Sequence, residues 1–342
     1  MSMLDTDTMP SRIETWLGAN VAPATVESYT IMTGGFSRVM ARVDVTWSDG
    51  RTEAFVLRGD PPPEIAALES DRDAEWALLS DLTSLDSVKM PAARWYVDDE
   101  DHFGTKAIFI DFVEGGSLQM TFDGGRDHAA TVDPLLELMA SVSAVEPGQV
   151  PSLPAPASWD DHMDSIIGRW RALADTHCES VPFVRHIAAW LKRRKPAPAP
   201  LRLAHGDFQQ GNILDTADGL QVIDWEFSRI GDPREDLGYY AAYSAAVPPN
   251  LIELDLERFL QTFRDKTGLN EEQVNPLTHG YFTVLSTISS IEGLYTGLAA
   301  MHRGERHGVA VAYNSQLVPV GSDNFVTAID TMEAALAAIE GA

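Results

Sequence analysis

Three oxygen-bearing side chains stand out by type and spacing: Asp207, Asn212 five residues on, and Asp224 seventeen residues after Asp207. The first two occupy a polar stretch between the apolar run Leu201–Ala204 and Ile213-Leu214, so a loop should hold both. Asp224 closes a second apolar run, Leu220-Gln221-Val222-Ile223, which the turn-forming Asp218-Gly219 joins to the first. A hairpin there would return Asp224 to the loop. Two carboxylates and an amide oxygen are hard donors, a set that suits Mg²⁺ better than zinc, and bound Mg²⁺ commonly means phosphate chemistry.

The surrounding residues resemble those of the aminoglycoside phosphotransferase and choline kinase-like group of small-molecule kinases, relatives of the protein kinases. The resemblance rests on three ordered blocks: His205-Gly206-Asp207-Phe208-x-x-Gly211-Asn212-Ile213-Leu214, Ile223-Asp224-Trp225-Glu226, and Gly231-Asp232-Pro233-x-x-Asp236-Leu237. It implies an α+β, bilobal protein-kinase-like fold with ATP or GTP and Mg²⁺ between a small antiparallel-β lobe and a larger helical one. Phosphoryl transfer asks a protein mainly for alignment and charge neutralisation. By resemblance, Asp207 is the catalytic base toward an acceptor hydroxyl, and Asn212 and Asp224 are the metal ligands. Glu226 would reach a metal-bound water or a substrate amine.

The resemblance also assigns a nucleotide site. The Gly34-Gly35 turn would let backbone N–H groups, those of Phe36 and Ser37, approach phosphates without a Cβ in the way. Arg58 on the strand Phe55-Val56-Leu57-Arg58 stands where antibiotic-modifying members generally carry Lys, with Glu75 as its partner. Arginine keeps the charge but distributes it over a larger, bidentate group. The connector 110–113, including Ile110 and Phe112, would meet the purine through backbone groups. The Arg58 departure favours the wider family, including kinase-like domains associated with acyl-CoA metabolism. A hydroxyacyl-CoA-type kinase and a nucleotide-binding regulatory module that transfers nothing are therefore the alternatives to a kinase acting on a hydroxylated metabolite or antibiotic.

Other polar residues near the motif have structural readings. His205 follows an apolar run and is expected to shape the loop through buried hydrogen bonds. Asp232 and Asp236 read as braces, with Asp236 placed as a helix cap. Trp76, Trp170 and Trp190 sit at helical spacing and are expected to pack rather than bind. Lys266-Thr267-Gly268 and Ser322-Asp323-Asn324 occur in an order that excludes serine-nucleophile chemistry of the penicillin-recognising type. His302 and His307 are five apart across a glycine and fit no helical zinc site, and Gly-Lys never occurs, which excludes a Walker A loop.

These residues need elements to place them. The stretch 27–58 reads as strand, glycine turn, strand, the Asp49-Gly50 hairpin and strand. After Pro61-Pro62-Pro63, Leu68, Ala74, Leu78, Leu79 and Leu82 predict a helix beginning near Glu64. Apolar runs at 93–97 and 106–113 add two strands. From about residue 127 the pattern is helical, interrupted by GQVPSLPAPAS and by the basic, proline-rich KRRKPAPAP. The predicted division is a β-rich lobe over 1–112, a connector over 113–117 and a helical lobe over 118–342, with an acceptor pocket near Asp207 walled by helices from 155–190 and 250–305.

The 342 residues are 44% hydrophobic and 22% charged, enough for two cored units. Twenty-five basic against fifty-one acidic side chains leave a net charge of −26, which disfavours a nonspecific grip on nucleic acid or anionic lipid. The lone thiol, Cys178, supports neither an internal disulfide nor a multi-cysteine zinc site. The opening residues lack a basic start and apolar stretch, so a cytoplasmic protein acting on a small-molecule hydroxyl is expected.

Overall fold

The computed structural model describes residues 3–32, 38–60, 71–176 and 182–288, with shorter stretches between 291 and 337. The chain divides into two compact units: Met1–Gly115 with Thr216–Ile223, and Gly116–Asp215 with Asp224–Ala342.

In the first unit, helix α1 (Met9–Asn20) precedes strands β1 (Ala24–Met32), β2 (Val39–Trp47) and β3 (Thr52–Gly59), helix α2 (Arg72–Thr83), strand β4 (Ala93–Val97), the short helix α3 (Glu100–Phe103) and strand β5 (Ala107–Asp111). The strands form one antiparallel sheet in the order β1-β2-β3-β5-β4. Strand β2 alternates strictly between buried and partly exposed positions, the mark of a sheet with one face on a core. That core joins Val43, Val45, Phe55, Leu57 and Phe109 to Met9, Ile13, Trp16 and Leu17 of α1, and the Trp16 ring stacks on Phe109 at 5.4 Å.

Helix α1 goes beyond the sequence expectation, although its buried residues recur at i, i+4, i+7 and i+8 and Pro10 occupies its first turn. Helix α2 begins at Arg72, later than the position near Glu64 that the spacing predicts. Asp71 is extended, and its carboxylate accepts the Ala74 N–H as an N-cap, so the helix cannot continue backward through it. Leu78, Leu79 and Leu82 are buried as expected, whereas Ala74 faces solvent. Glu64 and Leu68 lie outside the described residues.

The second unit runs through strand β6 (Gly115–Ser117) and helices α4 (Leu118–Asp123), α5 (His128–Ser143), α6 (Trp159–Thr176) and α7 (Pro182–Arg193) to strand β7 (Arg202–Ala204). The chain then makes the expected hairpin of strands β8 (Ile213–Thr216) and β9 (Gly219–Val222), the latter within the segment that groups with the first unit, and the hairpin turn is closed by Thr216 Oγ1 on the Gly219 carbonyl at 2.7 Å. Strand β10 (Arg229–Gly231) pairs antiparallel with β7. Helices α8 (Glu235–Ala246), α9 (Leu256–Thr267) and α10 (Pro276–Leu285) follow. Trp170 and Trp190 are fully buried in the core shared by α6, α7 and α10, as expected of packing tryptophans. Trp76 is only partly buried and stacks on Tyr96 at 5.6 Å.

Candidate active site

The ribbon of β7 and β10 fixes both ends of the polar constellation, since His205 follows β7 directly and Asp224 lies just before β10. Between them the loop is held from below. The Asp236 carboxylate accepts the backbone N–H groups of His205 at 2.8 Å and Gly206 at 2.9 Å. Asp236 is therefore a brace, but not a helix cap: it sits in the first turn of α8, behind Arg234 at the N-cap, and its carboxylate turns to the loop. Burial pushes its pKa up to about 6, against the pull of those two N–H groups.

Gly206 has φ +82, and a Cβ there would collide with the Phe227 carbonyl. Glycine is the residue this turn admits. The His205 ring is buried against Trp225 at 4.7 Å, and its Nδ1 accepts the Asp207 N–H at 3.3 Å, so the imidazole shapes the loop. Asn212 then donates from Nδ2 to Asp207 Oδ2 at 2.7 Å and to the Asp207 carbonyl at 3.1 Å. Its amide nitrogen is thus turned to Asp207, leaving Oδ1 as the atom suited to a cation.

Asp207 is half-buried, and loss of solvent is the main cause that raises its pKa to about 6. Hydrogen bonds from Tyr239 and Asn212 oppose the rise, while the charges of Asp224 and Glu226 add to it. Asp224 is thereby placed close enough to Asp207 to influence its ionisation. It is the single described non-glycine residue with positive φ, at +69. Aspartate tolerates that region better than most residues, at a modest cost in strain.

A second network supports the loop. Glu235 accepts the Asp232 N–H at 2.7 Å and contacts His162 Nε2 at 2.5 Å and Arg229 Nε at 3.0 Å. Asp232, fully buried, takes Trp159 Nε1 at 2.6 Å and Arg234 Nε at 2.8 Å, which makes it the brace that the sequence suggests. Arg229, Arg234, Glu235, His162 and Tyr239 escaped the sequence reading. Arg234 and Glu235 occupy the two unassigned positions of the third block, and that placement was the available signal.

In the first unit, Arg58 Nε lies 3.1 Å from Glu75 Oε1, both side chains about one-tenth exposed, so the two residues paired in the sequence are brought together. Ile110 lies on β5 opposite Val56. Phe112 carries the Arg42 guanidinium over its ring at 4.1 Å, and its N–H donates to the Ala54 carbonyl at 3.0 Å. Strand β5 is flanked by β3 and β4, and Asp111 N–H is spent on Ala92 at 2.9 Å. The sheet thus consumes the donors of residues 111 and 112, and a connector N–H for a ligand falls to Val113 or beyond. Gly34, Gly35, Phe36 and Ser37 lie outside the described residues.

The donor set fits a hard cation. An amide oxygen and a carboxylate are the kind of hard donors that Mg²⁺ accepts, and among the described residues there is no group of three or more His, Cys, Asp or Glu side chains that could hold a metal ion. A cavity of about 220 Å³ elsewhere in the second unit is lined by Trp190, Arg194, Asn275, Thr278 and Tyr281, with no residue of the 205–212 loop.

Residues 33–270 match the family model described as the phosphotransferase enzyme family. Acyl-CoA dehydrogenase family member 10 of Mus musculus is 30% identical over 194 residues, covering 54% of this chain and 18% of that protein. Thiamine kinase of Escherichia coli is 36% identical over 59 residues, 17% of this chain and 22% of its own length. The chain thus spans about a fifth of these relatives. Among solved structures, a Ralstonia eutropha protein provisionally assigned as an aminoglycoside phosphotransferase superposes with a TM-score of 0.70 at 17% identity, covering 94% of this chain and 98% of that one. A choline/ethanolamine kinase family protein from Mesorhizobium loti gives 0.62 at 14% identity, covering 95% and 99%. A thermostable aminoglycoside phosphotransferase mutant, in ternary complex with ADP and hygromycin B, gives 0.63 at 14%, covering 92% and 98%. The fold is the protein-kinase-like α+β fold.

Proposed function

The chain belongs to the phosphotransferase enzyme family, and we propose that it transfers the γ-phosphate of ATP or GTP to a hydroxyl of a small molecule. The observation that carries this reading is the Asp207 carboxylate, held by Asn212 and Tyr239 beside Asp224. In the proposed reaction the carboxylate accepts a hydrogen bond from the acceptor hydroxyl and orients its oxygen toward phosphorus. The oxygen–phosphorus bond forms as the bond to the nucleoside diphosphate breaks, and the hydroxyl proton passes late to Asp207. Asn212 and Asp224 would hold Mg²⁺, which neutralises charge on the phosphates. Arg58, oriented by Glu75, would hold phosphate oxygens, with the Gly34-Gly35 turn and Ser37 contributing backbone contacts and the connector from Val113 onward, rather than Ile110 and Phe112 whose strand is paired on both sides, offering its N–H to the base.

Asp207→Asn keeps the size and hydrogen-bonding reach of the side chain but cannot take the proton. Nucleotide affinity should be retained and transfer should fall by about 10²–10⁴-fold. Labelled ATP offered with aminoglycosides, choline, thiamine and hydroxyacyl thioesters identifies the acceptor, and an unchanged rate for Asp207→Asn on that acceptor would falsify the assigned role. A hydroxyacyl-CoA-type substrate is the second reading, supported by the likeness to acyl-CoA dehydrogenase family members and by Arg58 in place of lysine. Among the described residues no helix is long and apolar enough to cross a membrane.

A further inference from the structure

Glu75 does not serve Arg58 alone. Its Oε1 faces Arg58 Nε at 3.1 Å, while Oε2 takes Nη1 of Arg72, whose Nη2 reaches Oδ1 of Asp60. Asp60, Arg72, Glu75 and Arg58 thus alternate in sign, and their formal charges cancel. The Arg72 side chain is 1% exposed, deeper than either Glu75 at 10% or Asp60 at 31%.

Taking a guanidinium out of water costs several kcal/mol unless its partners are well placed. Here they are set by chain geometry. Arg72 opens α2, and Glu75 lies three residues on, on the same helix face. Asp60 follows β3, two residues after Arg58. The planar fork of Arg72 therefore ties the start of the helix to the end of the strand that carries Arg58, and it occupies one of the two oxygens of Glu75. An arginine and a carboxylate left to themselves prefer a two-point, fork-to-fork pair. With Oε2 engaged, Glu75 presents Oε1 to Arg58.

We propose that Arg72 is a positioning residue for nucleotide phosphates: by holding Oε2 of Glu75 it restrains the Arg58–Glu75 contact to Oε1 and so aims the Arg58 guanidinium. The inference rests on the reading of Arg58 as a phosphate ligand, and it adds a third charged residue to the pair legible in the sequence.

Calorimetric titration of the full chain with MgATP and, separately, with adenosine tests it, because adenosine lacks the phosphates. Arg72→Met should weaken MgATP about tenfold, a loss of about 1.4 kcal/mol, and leave adenosine within about twofold. Asp60→Asn, a milder change at a more exposed site, should move MgATP affinity the same way by less, and it decides the matter if Arg72→Met fails to fold. The Arg58→Met, Arg72→Met double variant should bind MgATP no more weakly than Arg58→Met, since Arg72 acts through Arg58. Unchanged MgATP affinity overturns the inference, as does a parallel loss of both ligands with a lowered melting temperature, the mark of a purely structural brace. Wild-type chain that prefers MgATP no more than adenosine overturns the Arg58 reading and this inference with it.

Discussion

At the scale of single residues, the loop around Asp207 sacrifices stability for a poised carboxylate. Asp207 is raised to about 6 from an ordinary 3.8, chiefly by burial, so the folded chain binds that proton more tightly than the unfolded chain does. Ionisation therefore costs the folded state, with the penalty growing between about pH 4 and pH 6 and complete above that. Asp207→Asn should stabilise the folded chain at pH 7.5, in the absence of metal and nucleotide, by about 1–2 kcal/mol, with a higher melting temperature. The gain should shrink to nothing near pH 4, and calorimetry at the two pH values checks it. Gly206→Ala should act oppositely, because its backbone has φ +82 and its Cβ meets the Phe227 carbonyl. A destabilisation of about 2–4 kcal/mol in urea denaturation is expected.

At the scale of elements, one face of α8 carries the loop. Asp236 takes two backbone N–H groups, and Tyr240 and Ser244, four and eight residues later, accept Gln210 Nε2 at 3.4 and 3.2 Å. Such spacing places all three on one stripe of a helix. The helix itself is seated on α10 at Gly238, where a side chain would collide with the Phe282 backbone. Asp236→Ala leaves two buried N–H groups without their acceptor and should cost about 2–4 kcal/mol, read by chemical denaturation at pH 7. Asp236→Asn, which can accept only through one oxygen, should fall between the two. The helical run after Asp236 was legible from its periodicity, but the direction of the Asp236 carboxylate was not. A cap and an inward brace occupy nearly the same sequence position, and only the packing of β7 against β10 decides which N–H groups are in reach.

At the scale of the whole molecule, both units share a large excess of negative charge, −26 over the chain. Self-repulsion of that size favours expansion, and salt screens it over about 8–10 Å at physiological strength. Raising sodium chloride from about 10 to about 150 mM should raise the first thermal transition by a few degrees, whereas a protein held chiefly by exposed ion pairs would lose stability. The chain also passes between units more than once, since Thr216–Ile223 groups with the first unit and Asp224 resumes the second. Within the first unit, the Val222 N–H donates to the Lys89 carbonyl at 2.9 Å.

The antiparallel strands, the hairpin before Asp224 and the loop that holds both Asp207 and Asn212 were determined by sequence alone, because alternation, turn residues and short spacings act locally, whereas the bond from the Asn212 amide to Asp207 appeared only in the structure. Helix α1 was equally local and could have been read from its apolar spacing. The start of α2 depended on which of several acidic residues capped it, a choice that spacing leaves open and backbone geometry makes at Asp71. Only the tertiary structure brought Tyr239 to Asp207 and Glu235 to His162, and only it buried Arg72 between Glu75 and Asp60. The physical reason is distance along the chain: a buried charge is tolerable only where partners from separate elements meet it, and a linear sequence does not say which elements those are.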